Sequence, residues 1–445
     1  MSRRSAAIFA RPRPRAALSA GRLLPRALAL VLALGAVLAG GAARADGAAG
    51  RSPRRIEVPP EVMKLYQDKP VIELVTMGVG SLIWERHGHI ALCVHYDDPR
   101  EDACYNYGIG DFHRPLKMAW GFFRGDGSFW VGKSGVGEML SIYQYADRTI
   151  WVQPLPLSAD EKRKVIDKLE HDILEPNKYY AYDHFWDNCT TRVRDVLDEA
   201  TGGKLAAMHE PTDGRTFRDL AREGFYGMRV PLLITDIAMG RVTDRVPTYH
   251  ERMFLPQYLR EAVTKLWGIQ PIAVYERRGP PPLHDGPSGR VLFALVIVLL
   301  TAPSWIARWI GRGRRIGLAV AVIPYVVLGS VLTGLAIISP LSYVRWNETC
   351  LVLLPLDVLV LVFPARWYAR GRLAMLAAIA VLGLFGVLTQ PLLAPLLWPA
   401  IPLAVVGFWP DRNQRLGQID GASPAQRSAQ RPAQRSSDPA RPSRR

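Results

Sequence analysis

The chain has 445 residues with a formal net charge of +16, and 49% of its residues are hydrophobic. This length exceeds one average domain, and the apolar residues are gathered in blocks rather than spread evenly. The arginines also gather, in four short segments beside apolar runs, which indicates that the charge sets membrane topology and argues against a nucleic-acid partner.

The N-terminus has the three-part layout of a secretory signal. Met1–Arg26 holds seven arginines and no acidic residue, Ala27–Ala39 is apolar, and Ala43–Ala45 is a small-residue cleavage site. Segment 1–45 is therefore predicted to be a signal peptide or an uncleaved signal anchor. In either case the chain after Asp46 is exported.

Five apolar runs in the C-terminal third predict membrane helices, because most approach the ~20 residues that cross a bilayer. The runs are Val291–Ala307, Gly317–Ile338, Thr349–Phe363, Leu373–Leu388 and Leu392–Trp409. The last is the weakest, since prolines interrupt it. Residues 291–409 are thus predicted to form an all-α membrane domain of about five helices.

The charges between these runs fit one orientation. Arg308–Arg315 carries four arginines, Ala365–Arg372 carries three, and the tail after residue 410 carries eight against three aspartates. All of them fall on the cytoplasmic side if five spans follow an exported domain. We therefore expect a multi-pass protein of the bacterial inner membrane with residues 46–276 in the periplasm.

Two segments are predicted to lack regular structure, and one acidic residue stands out. Residues 277–290 are rich in proline and glycine and are predicted to be a linker, and the repetitive tail 410–445 is predicted to be disordered. Asp357 lies inside the third apolar run, where a carboxylate is costly. It is a candidate functional residue with no visible partner.

The exported domain begins with three predicted strands. They are Val71–Thr76, His89–Tyr96 and Ala103–Ile109. The turn Asp97–Arg100 joins the last two as a hairpin, which places Cys93 opposite Cys104 and brings Asn106 diagonal to His89.

Directly opposed residues project from the same face of a sheet. His89, Cys93, Cys104 and Asn106 are therefore predicted on one face. Cys93 and Cys104 are a candidate disulfide, because an exported domain meets an oxidising compartment. Two buried free thiols would pack equally well, so both interpretations remain open.

Farther along, two helices are predicted. The first opens at the capping box Ser158–Glu161, and the second begins at Cys189 and ends near Gly202. Asp187 or Asn188 would cap the second helix. The amides and macrodipole of a helix N-terminus favour a thiolate over a thiol of pKa ~8.5, so Cys189 is a candidate nucleophile. A packed small residue is the alternative.

His89 is the candidate base for Cys189, and Asn106 would hold its ring in a Cys-His-Asn arrangement. Asp187, Asn188 and Tyr105 are predicted to support the site. Alternatively, His87, His89, His184 and Cys189 would form a zinc site. No Cys-x-x-Cys or His-Glu-x-x-His motif supports zinc, so no metal is predicted.

Five motifs occur in order along the exported domain. They are GHIAL at Gly88–Leu92, YNYGIGDF at Tyr105–Phe112, FFRGDGSFWVG at Phe122–Gly132, NKYYAYDHFWDNCTTRVRDVLD at Asn177–Asp198 and RMFLPQYL at Arg252–Leu259. Together they resemble the N-terminal periplasmic domain of the Lnb-type lipoprotein N-acyltransferases.

The resemblance implies an α+β, permuted papain-like fold, similar to lecithin:retinol acyltransferase, followed by an all-α transmembrane domain. It assigns the family histidine to His89 and the family cysteine to Cys189, although His87 nearby leaves the choice of base open. It implies transfer of a fatty acyl chain from phospholipid to the N-terminal cysteine amine of a lipoprotein, through a thioester and without a cofactor.

Two other functions stay open. A membrane-tethered cell-wall peptidase or amidase would use the same cysteine and histidine on a water-soluble glycopeptide. A non-catalytic envelope scaffold would keep the fold without activity. An apolar groove beside Cys189 would favour the acyltransferase over the peptidase.

Overall fold

The computed structural model describes residues 58–126, 129–280, 289–363 and 366–409. The predicted signal segment 1–45 and the predicted tail 410–445 lie outside these ranges, as do residues 281–288 of the predicted linker. The described residues comprise a mixed α/β domain followed by a helical part.

The α/β domain, within the described residues, is built on one seven-stranded sheet whose neighbouring strands are all antiparallel. Its strands are β1 (Val71–Met77), β2 (His89–His95), β3 (Ala103–Gly110), β4 (Phe129–Gly135), β5 (Ile150–Pro154), β6 (Tyr179–Tyr180) and β7 (Ile272–Tyr275). Their order across the sheet is β6-β4-β3-β2-β1-β5-β7. β1 is buried along its whole length because both sheet faces are covered.

The β2–β3 hairpin has the predicted register. Cys93 pairs with Cys104, and the two residues are joined by a disulfide across the hairpin. Pairing extends only one residue to either side, from Leu92 to Val94 on β2. The two strands therefore no longer pair where β2 begins, at His89.

Eight helices accompany this sheet in the described part of the α/β domain. They are α1 (Pro60–Leu65), α2 (Pro115–Arg124), α3 (Val136–Tyr145), α4 (Ala159–Asp172), α5 (Cys189–Ala200), α6 (Phe217–Gly224), α7 (Arg229–Ala238) and α8 (Pro256–Trp267). The predicted capping box opens α4, where the Ser158 hydroxyl accepts the Glu161 N–H. As predicted, α5 begins at Cys189.

The two faces of the sheet have separate cores, because successive strand residues point to opposite faces. Leu74, Leu92 and Tyr105 belong to the core formed with α4, α5 and α8. Ala91 and Cys104 belong to a second core formed with α3. The helix that carries Cys189 and the α3 helix thus lie on opposite faces.

The helical part is mostly apolar. Its helices are α9 (Gly289–Ile310), α10 (Arg314–Ile338), α11 (Ser342–Arg345), α12 (Thr349–Val352), α13 (Leu359–Val362), α14 (Arg366–Leu384) and α15 (Leu393–Phe408). Among the described residues, three are long and apolar enough to cross a membrane: Val291–Ile310, Arg314–Ile338 and Arg366–Leu384. α15 is a shorter apolar helix of 16 residues.

The third predicted span, Thr349–Phe363, differs from the prediction of a continuous helix. It is broken into α12 and α13 by a 3-10 turn at Pro355–Val358. Proline removes a backbone donor and disfavours a helical residue before it, which accounts for the break. The fully buried Asp357 in this turn accepts hydrogen bonds from Tyr368 at 2.9 Å and Arg372 at 3.1 Å.

The helical part packs against the α/β domain beside the segment that precedes Cys189. Tyr343 of α11 packs edge-to-face on Phe185, with ring centroids 5.0 Å apart. The Arg241 N–H donates to the Trp346 carbonyl at 3.0 Å. The two parts therefore share a core next to the candidate site.

Candidate active site

Cys189 is the first residue of α5, and Asn188 is the N-cap. The Asn188 side-chain oxygen accepts the N–H groups of Thr190 and Thr191 at 2.7 and 2.9 Å. Its amide nitrogen donates to the Phe254 carbonyl at 2.9 Å, which ties the start of the helix to the loop before α8. Two of the N–H groups at this end of the helix are therefore already occupied and are not free to stabilise an oxyanion.

Asp187, the other predicted cap, has a different role. Its carboxylate accepts two hydrogen bonds from Arg192, at 2.6 and 2.8 Å. The Arg192 guanidinium also lies over the Tyr180 ring, 3.9 Å from its centroid. Asp187 therefore holds the aromatic segment before Cys189 against α5.

The Cys189 sulfur lies in a buried setting. Its contacts include the Thr190 hydroxyl, at 3.8 Å, and the Ile90 N–H at the start of β2. Burial raises the pKa of the Cys189 thiol, while the hydrogen bonds from Thr190 and Ile90 and the charge of Arg148 oppose the rise. Burial thus favours the thiol at rest, against the thiolate that the helix end is expected to favour.

Gly108 of β3 makes room for this thiol. Its φ of +83° lies in the region that glycine adopts without strain. A Cβ at this position would lie 3.4 Å from the Cys189 Cβ and 3.6 Å from the ring of Tyr182. Cys189 thus sits directly against the β3 backbone, with Tyr182 beside it.

His89 lies at the first position of β2 and faces α3. Its Nε2 is 3.3 Å from the Asn106 Oδ1, and its ring stacks on Tyr143 with centroids 5.7 Å apart. Burial, reinforced by the charge of Arg148, lowers the pKa of His89 to about 3. Because an amide oxygen can only accept, Nε2 carries the proton and Nδ1 holds the free lone pair.

The structure brings His89 together with Asn106, as the hairpin register predicts, and it places Cys189 against the residue next to His89. No hydrogen bond joins the His89 ring to the Cys189 sulfur among the described residues. The two groups approach from different faces of the sheet where β2 and β3 have separated. At rest both are neutral and uncoupled.

Arg148 and Tyr143 lie near the site, although no motif in the sequence predicts this. Arg148, which is 4% exposed, donates from Nε to the Gly78 carbonyl at 2.7 Å and lies over Tyr143, 4.9 Å from its ring centroid. Its Nη2 has no partner among the described residues. The guanidinium, Tyr143 and His89 therefore form a column beside Cys189. Only the tertiary fold brings the turn before β5 and the helix α3 to the site.

His87, the alternative base, is engaged elsewhere. Its Nε2 donates to the Ala221 carbonyl of α6 at 2.9 Å, and its ring meets His184 at 4.6 Å. His89 instead contacts Asn106 and Tyr143. The four residues of the alternative zinc site do not converge, and the described residues contain no cluster of three or more His, Cys, Asp or Glu suited to a metal.

Tyr105 is separated from the site. It is fully buried on the other sheet face from Asn106, and its hydroxyl donates to Glu170 of α4. Adjacent strand residues point to opposite faces, so Tyr105 supports the sheet rather than the predicted chemistry.

Comparison with known proteins agrees with the first four of the motifs quoted above, and the fifth, Arg252–Leu259, lies outside the matched residues. Residues 63–223 match the family model described as the Lnb N-terminal periplasmic domain. This region is therefore similar to an Lnb periplasmic domain. No match was found among curated proteins or among solved structures.

The Lnb match contains His89, Asn106 and Cys189 and ends within α6. It leaves α8, β7 and the helical part outside. The matched region thus contains the candidate nucleophile and base. The apolar helices that follow agree with a membrane protein that has a periplasmic domain.

Proposed function

We propose that this protein is a membrane-bound thiol acyltransferase with a permuted papain-like catalytic domain. It would move a fatty acyl chain from phospholipid to the N-terminal cysteine amine of lipoproteins, through a thioester on Cys189. The catalytic domain would lie in the periplasm, on the outer side of the bacterial inner membrane.

The observation that carries the proposal is the apolar, aromatic connection between Cys189 and the membrane part. Tyr182, beside Cys189, packs on Phe129 with centroids 4.6 Å apart and meets Phe122 of α2 at 6.2 Å. Gly125, which ends α2, packs against Pro340 just after the span α10. A fatty acyl chain suits these apolar and aromatic surroundings better than a glycopeptide does.

The outer surface of α2 is also apolar. Leu116 is 86% exposed and Trp120 is 52% exposed, one helical turn apart. Nearby, the exposed Trp84 stacks on Phe112 at 5.0 Å. Exposed aromatic and aliphatic side chains next to a span are typical of a surface that lies in the membrane interface.

In the first step, Nδ1 of His89 takes the thiol proton after its ring turns toward Cys189. The thiolate attacks the ester carbonyl of the lipid, forming the C–S bond. The C–O bond then breaks, and the proton on the imidazole passes to the departing lysolipid alkoxide. Because burial disfavours both charged forms, the ion pair would form only when substrate is bound.

In the second step, an amine attacks the thioester carbonyl. The C–N bond forms, the C–S bond breaks, and the sulfur leaves as the thiolate. His89 takes the proton that the amine loses and returns it to the sulfur, which restores the resting pair. The products are an amide and the free enzyme.

The developing oxyanion needs donors other than those capped by Asn188. The Ile90 N–H lies against the sulfur, and the Cys189 N–H is at the open end of α5. Two backbone donors beside the sulfur would together stabilise the oxyanion. Arg148 adds a positive charge nearby.

The test is intact-mass measurement of the purified protein after incubation with phospholipid vesicles. We expect a fatty-acyl increment on the wild type that hydroxylamine removes, and none on Cys189→Ala. Cys350→Ala, which removes the other free cysteine of the described chain, is the matched control and should keep the increment. Absence of an increment with every phospholipid tested, or its persistence in Cys189→Ala, would reject the proposal.

A further inference from the structure

A cavity of about 720 Å³ lies between the end of β1, α6 and α8. Met77, His87 and Gly88 line it, but Cys189, His89 and Asn106 do not. Five arginines and three acidic residues also line it. They are Arg86, Arg215, Arg252, Arg260, Arg277, Asp213, Glu223 and Glu261.

The three carboxylates are engaged by two of these arginines. Arg215 pairs with Asp213 and Glu223, each at 2.6 Å, and Arg252 pairs with Glu261 at 3.4 Å. These pairs neutralise one side of the cavity. The other three arginines form no ion pair with any described residue.

Neutral groups hold those three arginines. Arg86 donates to the Gly224 and Tyr226 carbonyls, each at 2.7 Å. Arg277 donates to the Val79 carbonyl at 3.2 Å, and the Arg260 guanidinium lies 4.0 Å from the centroid of the Trp151 ring. Carbonyls and a ring face orient a guanidinium without cancelling its charge. Each of the three keeps N–H donors to spare.

Five arginines against three carboxylates leave a net charge of +2 on the cavity lining, which is unfavourable without a counter-ion. Burial, together with the charge of Arg277, lowers the pKa of Arg86. Burial also lowers the pKa of Arg260, although the charge of Glu261 opposes this shift. A bound anion would relieve this repulsion. Guanidinium groups match the oxygens of phosphate in geometry and in charge, which makes phosphate the best candidate.

We infer that this cavity is a binding site for a phosphate group, held by Arg86, Arg260 and Arg277. The phosphate belongs either to a lipid headgroup or to a small soluble phosphorylated ligand. The site goes beyond the proposed acyl transfer, because it neither contains nor requires the Cys189 thiol.

Binding to the purified full-length protein in detergent tests the inference. Inorganic phosphate and dihexanoyl phosphatidylglycerol are titrated separately by calorimetry, at constant ionic strength set with chloride. Dihexanoylglycerol, which lacks the phosphate, is the ligand control. We expect at least one phosphate-bearing probe to bind, the control not to bind, and Trp151 fluorescence to change on binding.

Arg260→Gln and Arg277→Gln should each weaken that binding at least about tenfold, the usual effect of losing a charge-assisted hydrogen bond. Arg163→Gln on the exposed face of α4 removes the same charge outside the cavity and should bind like the wild type. Circular dichroism checks that each variant is folded. Equal affinity of Arg260→Gln and wild type, or binding of neither probe, overturns the inference.

The two probes identify the source of the phosphate. Tighter binding of the lipid than of inorganic phosphate assigns a headgroup, and tighter binding of inorganic phosphate assigns a soluble ligand. Both results support the site. Cys189→Ala should bind as well as the wild type, so failure of the acyl-transfer proposal and failure of this inference are distinguishable.

Discussion

The His89 Nε2 lies 3.3 Å from the Asn106 Oδ1, and this contact sets which ring nitrogen can act as a base. The amide oxygen accepts the Nε2 proton, so Nδ1 is the nitrogen available to the thiol. Asn106 is itself buried, and its position across the β2–β3 hairpin follows from the Cys93–Cys104 pairing.

Replacing Asn106 should slow thioester formation without unfolding the domain. In Asn106→Ala the ring loses its acceptor, and an unsatisfied buried N–H costs about 1–3 kcal/mol, or roughly fivefold to 150-fold in rate if it is felt in the transition state. Intact-mass time courses measure the rate. Asn106→Asp should instead raise the pKa of His89 and shift the pH–rate profile, whereas a purely structural role would leave the profile unmoved.

The buried histidines predict a loss of stability in acid. The folded-state pKa is about 3 for His89 and about 4 for His87, both below the value of ~6.5 in an unfolded chain. The unfolded state therefore binds more protons below pH ~6.5, and stability falls as the pH drops from there toward 3. Each histidine contributes a slope approaching ~1.4 kcal/mol per pH unit.

Thermal unfolding of wild type and His89→Gln between pH 7 and pH 4 measures this contribution. The variant lacks one of the buried histidines whose pKa is lowered in the folded state, so its unfolding temperature should fall less steeply. His113→Gln, an exposed histidine in the turn before α2, is the matched control and should follow the wild type. Identical slopes for all three proteins would contradict the buried, neutral state of His89.

The Arg148–Tyr143–His89 column predicts two separable effects. Tyr143→Phe keeps the stacking surface and should retain most activity, whereas Tyr143→Ala frees the His89 ring and should lower the rate of thioester formation.

Arg148→Gln removes a charge that lowers the pKa of Cys189, so alkylation of the thiol should require a higher pH. Iodoacetamide labelling across pH 7–10 measures this shift, and an unchanged profile would exclude electrostatic contact between Arg148 and the sulfur.

The pairing of Asp357 with Arg372 predicts that Asp357 has a structural rather than a catalytic role. Both side chains are buried, and Arg372 also donates to the Val352 carbonyl at 2.6 Å. Removing one partner of a buried pair costs about 3–5 kcal/mol. Asp357→Ala should therefore unfold at a lower temperature in detergent, yet its surviving folded fraction should form thioester at the wild-type rate. Loss of thioester formation in folded protein would instead assign Asp357 to the chemistry.

Local patterns in the sequence predict the parts of this site that lie close together along the chain. The four-residue turn after Tyr96 sets the hairpin register, and through it the Cys93–Cys104 pair and the His89–Asn106 contact. The start of α5 follows from Asn188, whose capping geometry involves only the next three residues. Such contacts depend on few degrees of freedom, so residue types and spacing suffice.

Contacts between distant segments could not be predicted in the same way. Tyr143 and Arg148 reach His89 because α3 packs on the same sheet face, and the sequence does not show which helix covers which face. The pKa of Cys189 depends on burial by the whole fold, which overrides the favourable helix end. The break at Pro355 was likewise not predicted, because the apolar residues around it indicate a continuous membrane helix.

The exposed face of α2 predicts a requirement for membrane contact that is separate from the chemistry. If Leu116 and Trp120 lie in the bilayer interface, Leu116→Glu and Trp120→Glu should lose apolar contact with lipid, at about 25 cal/mol per Å² of buried area. Thioester formation from vesicles should slow, while the rate with a monomeric short-chain phospholipid should stay at the wild-type value. Tyr145→Glu, at a 95% exposed aromatic on α3, is the matched control and should leave both rates unchanged. An equal loss of rate with both donors would show that Leu116 and Trp120 are needed for folding or for the acyl site. An unchanged rate with both donors would show that α2 does not contact the membrane.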